Sequence, residues 1–130
     1  MLPDGLREQF LEERPAPEPV WEIRHTLGRV LVEEFYRDSG GLLLDHAIIL
    51  YRLSLDAAPA NYPERPLMEY NLGTALQVRF RVLREHDDLD AAVAALRRAS
   101  ETIPDGHPHE ETISSALHNA LSSRNERVVE

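Results

Sequence analysis

The side chains best suited to metal chemistry are two histidines and two glutamates in the last quarter of the chain. His107 and His109 are one residue apart and are followed directly by Glu110 and Glu111. Imidazole and carboxylate groups are ligands that Zn²⁺ or Ni²⁺ accepts, so this spacing could hold a metal ion. The stretch IPDGHPHE is rich in turn-forming residues, however, which is typical of a connection between helices. We therefore interpret the histidines as turn residues and expect no metal site.

Other kinds of reactive site are also missing from the sequence. The chain has no cysteine, which excludes disulfides, thiolate nucleophiles and thiolate metal ligands. It contains no serine in a nucleophile elbow and no glycine-rich phosphate loop. The acidic stretch EHDD at 85–88 lacks the ligand spacing of a calcium loop, and we interpret it as a solvated connection. The sequence thus predicts a non-enzyme without cofactor, and a metal-dependent enzyme is only a remote alternative.

Composition and charge restrict the possible partners. The 130 residues are 42% hydrophobic and 28% charged, which suits one globular domain. A net charge of −9 would repel a phosphate backbone, so we expect no nucleic-acid partner. No apolar run approaches the length of a membrane span, and the N-terminus MLPDGLREQF does not resemble a secretion signal. We therefore expect no membrane partner and a cytoplasmic location.

The sequence repeats itself at a spacing of 45 residues. The stretch LDHAIILYRLSLDAAP at 44–59 recurs as LDAAVAALRRASETIP at 89–104. The same gap-free shift places Leu27-Gly28 on Leu72-Gly73, and Leu72 on Leu117. A fixed period of this size is typical of a solenoid, in which each unit buries its apolar face against its neighbours. The chain therefore holds two full units and the first half of a third.

Each unit is predicted to contain two helices. In the second unit Met68, Leu72, Leu76 and Phe80 form one apolar stripe with helical period. Gly40-Gly41 and EHDD are expected to separate the two helices of a unit, and proline-rich stretches to separate the units. The predicted helices lie at about 18–37, 44–57, 66–84, 89–102 and 109–124. The predicted organisation begins with an N-terminal segment at 1–17, which is either flexible or a capping helix. A repeat domain follows at 18–124, with units at 18–62 and 63–107 and a terminal helix at 109–124. A flexible tail is predicted at 125–130.

These units resemble the tetratricopeptide repeat. The family pattern of Leu-Gly in the first helix, three spaced residues in the second helix and a final proline is matched in both units. The matching residues are Leu27-Gly28, Ala47, Tyr51, Ser54 and Pro59, then Leu72-Gly73, Ala92, Leu96, Ala99 and Pro104. The added length is similar to that of arrays in bacterial regulators associated with CHAT proteases or signalling ATPases. The resemblance implies an all-α, right-handed α-α superhelical solenoid of about 2.5 repeats with five or six antiparallel helices.

The resemblance also implies a binding surface and a function. In such arrays the first helices of the units line a concave groove that binds a protein or peptide, as in an adaptor or scaffold. The corresponding positions here are His25, Arg29, Val32, Tyr70, Thr74, Gln77, Ser115, Asn119 and Ser122. Asn71 stands where some members hold a peptide carboxylate, but its basic partners are replaced by Thr112 and Ala116, so no complete carboxylate clamp is expected. The alternative is that these side chains are merely solvated.

The first predicted helix is apolar on an unusually wide arc. Ile23, Leu27, Val30, Leu31 and Phe35 form the stripe expected to face the core, and Trp21, Val32 and Tyr36 extend it. An exposed apolar patch of this size is unusual on a monomer, so the extension should be covered. The cover could be the N-terminal segment through Leu6, Phe10 and Leu11, a second copy in a homodimer, or another protein or domain. The second possibility makes self-assembly of a larger regulator an alternative function.

Overall fold

The computed structural model describes residues 19–38 and 41–129. These residues form five helices and contain no β-strand: α1 (Val20–Asp38), α2 (Gly41–Ala57), α3 (Arg65–Leu83), α4 (His86–Thr102) and α5 (Glu110–Val129). The all-α prediction is therefore confirmed. Within these ranges, none of the helices has the length and apolar character that crossing a membrane would need.

The helix boundaries themselves repeat at the spacing found in the sequence. The helices α1, α3 and α5 begin at Val20, Arg65 and Glu110, and α2 and α4 begin at Gly41 and His86. Both α2 and α4 start three residues earlier than predicted. The last helix continues to Val129, five residues beyond its predicted end at 124.

The connection between α3 and α4 is shorter than the sequence suggested. Arg84 ends α3 in the left-handed conformation (φ 58°), with its N–H donating to the carbonyl of Phe80 at 2.8 Å. Glu85 is extended, and His86 already begins α4. The interpretation of EHDD as a connecting loop is thus wrong, because Asp87 and Asp88 lie in the first turn of the helix, where its dipole favours a negative charge.

Asp88 is also not solvated. It is buried, and Arg79 of α3 binds both its carboxylate oxygens, with Nε to Oδ2 and Nη2 to Oδ1 at 2.7 Å each. The remaining nitrogen, Nη1, donates to Oδ1 of Asp45 on α2 at 2.9 Å. Hydrogen bonds to Asp88, and then those to Asp45, hold the pKa of Arg79 above its usual range. This ion cluster connects α2, α3 and α4.

The helices pack in chain order, with each one against the next. In addition, α1 contacts α3 and α3 contacts α5, whereas α2 and α4 do not approach each other within the described ranges. The helices α1, α3 and α5 therefore form the more closely spaced side of the molecule. The first helix of each unit lies on that side, and the second helix lies on the other.

One glycine in each unit permits a close helix approach. A Cβ atom at Gly28 would lie 2.7 Å from Cε1 of Tyr51, and one at Gly73 would lie 2.6 Å from Cγ of Leu96. Both distances are shorter than the nonbonded contacts that Cβ atoms make in proteins. Only glycine therefore fits at these positions without movement of the neighbouring atoms. Because Gly73 and Leu96 follow Gly28 and Tyr51 by 45 residues, the two units use the same packing contact.

The packing of α1 differs from the prediction. Trp21 and Val32, which were expected to need an outside cover, pack against the chain's own core. In contrast, Ile23, Leu27 and Val30, which were expected to face the core, are exposed. The reason is the contact at Gly28, which turns α1 so that the Gly28 side faces α2.

Candidate ligand-binding groove

Two cavities open along the side of the molecule formed by α1, α3 and α5. The first has a volume of about 460 Å³ and lies between α1, α3 and the connection that precedes α3. The second has a volume of about 410 Å³ and lies between α3 and α5. We call the surface that contains both cavities the groove.

Most of the side chains expected in a groove line one of these cavities. His25, Arg29 and Tyr70 line the first cavity, and Gln77, Asn119 and Ser122 line the second. The other three do not. Val32 packs against the core, Ser115 is exposed outside both cavities, and the hydroxyl of Thr74 donates to the carbonyl of Asn71 at 3.1 Å.

His25 belongs to α1, and its partly buried side chain lies between α1 and α3. Its Nε2 is 3.0 Å from Nδ2 of Asn71, and its ring lies 5.1 Å from the ring of Tyr51. Burial, assisted by the positive charge of Arg29, lowers the pKa of His25 to about 4. The imidazole is therefore neutral at pH 7, and as an acceptor at Nε2 it carries its proton on Nδ1. That Nδ1 atom is buried without a hydrogen-bond partner in the described residues.

Asn71 thus uses its amide nitrogen to contact His25. Its amide spans the gap between the first helices of two successive units. The amide–imidazole contact fixes the floor of the first cavity and the orientation of the histidine ring.

Arg29 is the basic group of the first cavity. It lies one turn beyond His25 on α1, is exposed, and forms no ion pair with any described residue. Its guanidinium group presents several N–H donors in a planar fork that matches a carboxylate. An anionic ligand could therefore bind this group without displacing any of the carboxylates that the structure describes.

The opposite end of the same cavity is aromatic and acidic. The rings of Trp21 and Tyr62 meet edge to face at 4.6 Å, and the Tyr62 hydroxyl donates to Oε2 of Glu64 at 3.3 Å. Desolvation, followed by the negative charges of Glu64 and Glu22, raises the pKa of Tyr62. A positively charged or amphipathic side chain suits such surroundings, because both carboxylates and ring faces attract cations.

The acidic end was not found from the sequence. Glu22 lies on α1, but Tyr62 and Glu64 lie in the connection between α2 and α3. The sequence predicted only that this proline-rich connection separates two units. One signal was present: Tyr62 is the sole aromatic residue in the proline-rich stretch APANYPE.

The second cavity is smaller and mostly polar. Gln77 lines it, and its Nε2 lies 3.5 Å from the carbonyl of Ala116, at the limit of a hydrogen bond. Phe80 forms part of its wall and also lies under the guanidinium of Arg84 at 5.7 Å. Arg81 of α3 and Asn119, Ser122 and Glu126 of α5 also line it, so this cavity suits peptide backbone and polar groups better than a large apolar side chain.

The histidine pair His107 and His109 forms a turn. The N–H of His109 donates to Nδ1 of His107 at 3.0 Å, and the carboxylate of Glu110 accepts from the N–H of Gly106 at 2.8 Å. Gly106 adopts a positive φ of 80°. Two of the candidate ligand groups are thus used for local hydrogen bonds. The described residues contain no group of three or more side chains placed to hold a metal ion.

The proposed interface residues are distributed differently from the groove residues. Tyr36 is exposed, whereas Trp21 and Val32 are partly buried against the core. Leu6 and Phe10 lie outside the described residues.

Comparison with known proteins identified no similar protein. No family model matches the chain, and neither a curated protein nor a solved structure matches it.

Proposed function

We propose that the protein is a non-catalytic interaction module, an adaptor that binds a peptide or a protein segment along its groove. The observation that carries the proposal is the first cavity, which combines an arginine that pairs with no described residue at one end with aromatic rings and carboxylates at the other. Its volume falls within the range of roughly 300–1,000 Å³ that is usual for ligand pockets.

The proposed architecture is a right-handed solenoid of about two and a half tetratricopeptide-like repeats. Two features support it. The helix boundaries recur at the spacing of the sequence repeat, and the glycine contacts at Gly28 and Gly73 recur with them. In such an array the closely spaced helices form the inner, concave side, which places the groove where an extended ligand contacts several units.

The charges of the first cavity specify the chemistry of the ligand. Glu22 and Arg29 are seven residues apart on α1, which is about 10 Å along a helix axis. An extended peptide advances about 3.3 Å per residue, so about three residues cover that distance. The groove should therefore select peptides with a basic side chain near Trp21 and a carboxylate about three residues away, beside Arg29.

The polar groups of the second cavity then extend the contact. Gln77 and Asn119 carry amides that can pair with peptide N–H and C=O groups of any sequence. These amides are thus expected to add affinity to the selection made by the first cavity.

A random-peptide display selection on the immobilised full-length chain tests the proposal. We expect enriched peptides to share a basic and an acidic residue about three positions apart. Charge reversal by Arg29→Glu should weaken binding of a synthetic enriched peptide by about tenfold or more, because it replaces a charge-assisted pair with a repulsion.

The matched control is Arg97→Glu, which reverses an exposed arginine on α4 outside the lining of both groove cavities. It should leave the affinity within about twofold, since an exposed charge far from a ligand is screened. Selection without a shared motif, or equal losses in the two variants, would contradict the proposed groove.

A further inference from the structure

An apolar stripe on α1 faces away from the rest of the described structure. Ile23, Leu27 and Val30 follow each other at helical spacing and remain 45–50% exposed. Val20, at the start of the helix, is also exposed. The stripe is distinct from the groove, because none of these side chains lines either cavity.

The second unit shows what such a stripe contacts. The residues 45 positions later are Met68, Leu72 and Ala75, which are only 2–5% exposed. They pack in one cluster with Ile48, Tyr51 and Leu55 of α2, the helix that precedes α3. The same side of α3 that corresponds to the stripe on α1 is therefore covered by the preceding helix.

The third unit repeats this arrangement. Ile113 and Ala120 on α5 are fully buried against the helix that precedes them, in clusters with Val93, Leu96 and Ala99 of α4 among others. The surfaces of α3 and α5 that correspond to the α1 stripe are thus each covered by the preceding helix.

The sequence before α1 carries the residues of such a helix in the same register. Leu6 and Phe10 precede Tyr51 and Leu55 by 45 residues, and these two are buried in α2. The stretch ERPAPEP that leads into α1 has the same length and proline-rich character as APANYPE, which leads into α3. The spacing between Leu6 and the stripe therefore equals the spacing between Tyr51 and its contacts on α3.

We propose that residues 6–12, which lie outside the described residues, pack as a helix on the α1 stripe in the way that α2 packs on α3. The register assigns each side chain of the segment a side. Leu6 and Phe10 face the stripe, whereas Leu11 corresponds to the exposed Asp56 and faces solvent.

Thiol protection in the full chain tests this docking, because the protein has no cysteine of its own. Leu27→Cys places a single thiol in the stripe, and its rate of reaction with an aromatic disulfide reagent reports how well the stripe is covered. Adding Leu6→Asp should raise this rate by about tenfold or more, because it places a charge in the apolar contact.

Two matched controls accompany it. Leu11→Asp makes the same chemical change on the opposite side of the segment and should alter the rate by less than about twofold. A thiol placed by Ile49→Cys, on an exposed position of α2, should react rapidly in every background.

The possible results are distinguishable. Equal effects of Leu6→Asp and Leu11→Asp, or an unprotected Leu27→Cys thiol in the parent chain, would overturn the docking of this segment. Protection that disappears on dilution, with a light-scattering mass of two chains, would overturn it in favour of a second copy. Retained helical circular dichroism in each variant excludes unfolding as the cause of faster labelling.

Discussion

Gly73 gives a quantitative test of the helix packing. In an exposed helix, glycine to alanine stabilises by about 1 kcal/mol, because alanine has the higher helix propensity. Here the new methyl group would lie 2.6 Å from Cγ and 2.9 Å from Cδ2 of Leu96. Cγ is close to the backbone and Leu96 is fully buried, so the side chain cannot move aside. Overpacking of this kind costs about 1–3 kcal/mol or more, and we expect Gly73→Ala to destabilise by about 1–2 kcal/mol net.

The sign should reverse when Leu96 is shortened. Leu96→Ala alone removes buried atoms and should cost about 2–5 kcal/mol. In that background the nearest atom to the new methyl group is the carbonyl oxygen of Ala92 at 3.4 Å, an ordinary contact. Gly73→Ala should then stabilise by about 1 kcal/mol, which makes the coupling between the two sites about 2–3 kcal/mol.

Urea denaturation of the four proteins, followed by circular dichroism, measures the cycle. The reasoning is refuted if Gly73→Ala stabilises the parent chain, or if its effect is the same with Leu96 and with alanine at that position. The corresponding pair in the first unit, Gly28 and Tyr51, should behave in the same direction, because its contact of 2.7 Å is of the same kind.

Three further predictions concern charged side chains. Arg79→Met should cost about 2–4 kcal/mol in urea denaturation, because it leaves a buried carboxylate unpaired, and a loss below about 1 kcal/mol would contradict the role of the ion cluster. Burial holds the pKa of His25 at about 4 in the folded state, below the ordinary value of 6.5, so only the unfolded chain gains a proton between these two pH values. Stability should therefore fall as the pH drops from 6.5 toward 4, by roughly 1–2 kcal/mol after solvent screening is allowed for, and His25→Gln should remove this part of the pH dependence. Arg98 pairs with the buried carboxylate of Glu69, so Arg98→Gln should lower the free energy of unfolding by about 1 kcal/mol. The control Arg97→Gln should lower it by less than about 0.5 kcal/mol, and equal losses in the two variants would argue against the Arg98–Glu69 pair.

The sequence predicted the helical elements well because their signal is local and repeated. Apolar spacing indicated five helices, and the 45-residue shift placed equivalent positions of successive units together. The missed boundaries lie at Gly41 and His86, where residues with low helix propensity begin α2 and α4. In α4 the position of Asp87 and Asp88 at the positive end of the helix dipole favours a helical first turn.

The orientation of α1 could not be read from apolar residues alone. Both of its arcs are apolar, since Trp21 and Val32 lie on one and Ile23 and Leu27 on the other. The decisive residue is Gly28, because a close helix approach needs a position without a side chain. Its recurrence as Gly73 would have indicated the correct side.

The candidate groove was only partly predictable for a different reason. The family pattern gave positions on the first helices, including Arg29 and Tyr70, which do line the first cavity. Tyr62 and Glu64 belong to a connection, and the path of a connection depends on how the helices it joins are packed. The burial of Asp88 was missed because its partner Arg79 lies on a different helix, so no spacing within one helix relates the two residues.

The ion cluster centred on Arg79 has a consequence for recognition. Asp45 belongs to the first unit and Arg79 to the second, so the cluster crosses the boundary between units. The same boundary is crossed by the first cavity, through the contact of His25 with Asn71. A hinge between the units would alter the distance from Arg29 to Tyr62, and the cluster opposes such a hinge. A ligand in the groove would thus meet a surface already held in shape, which reduces the entropy lost on binding.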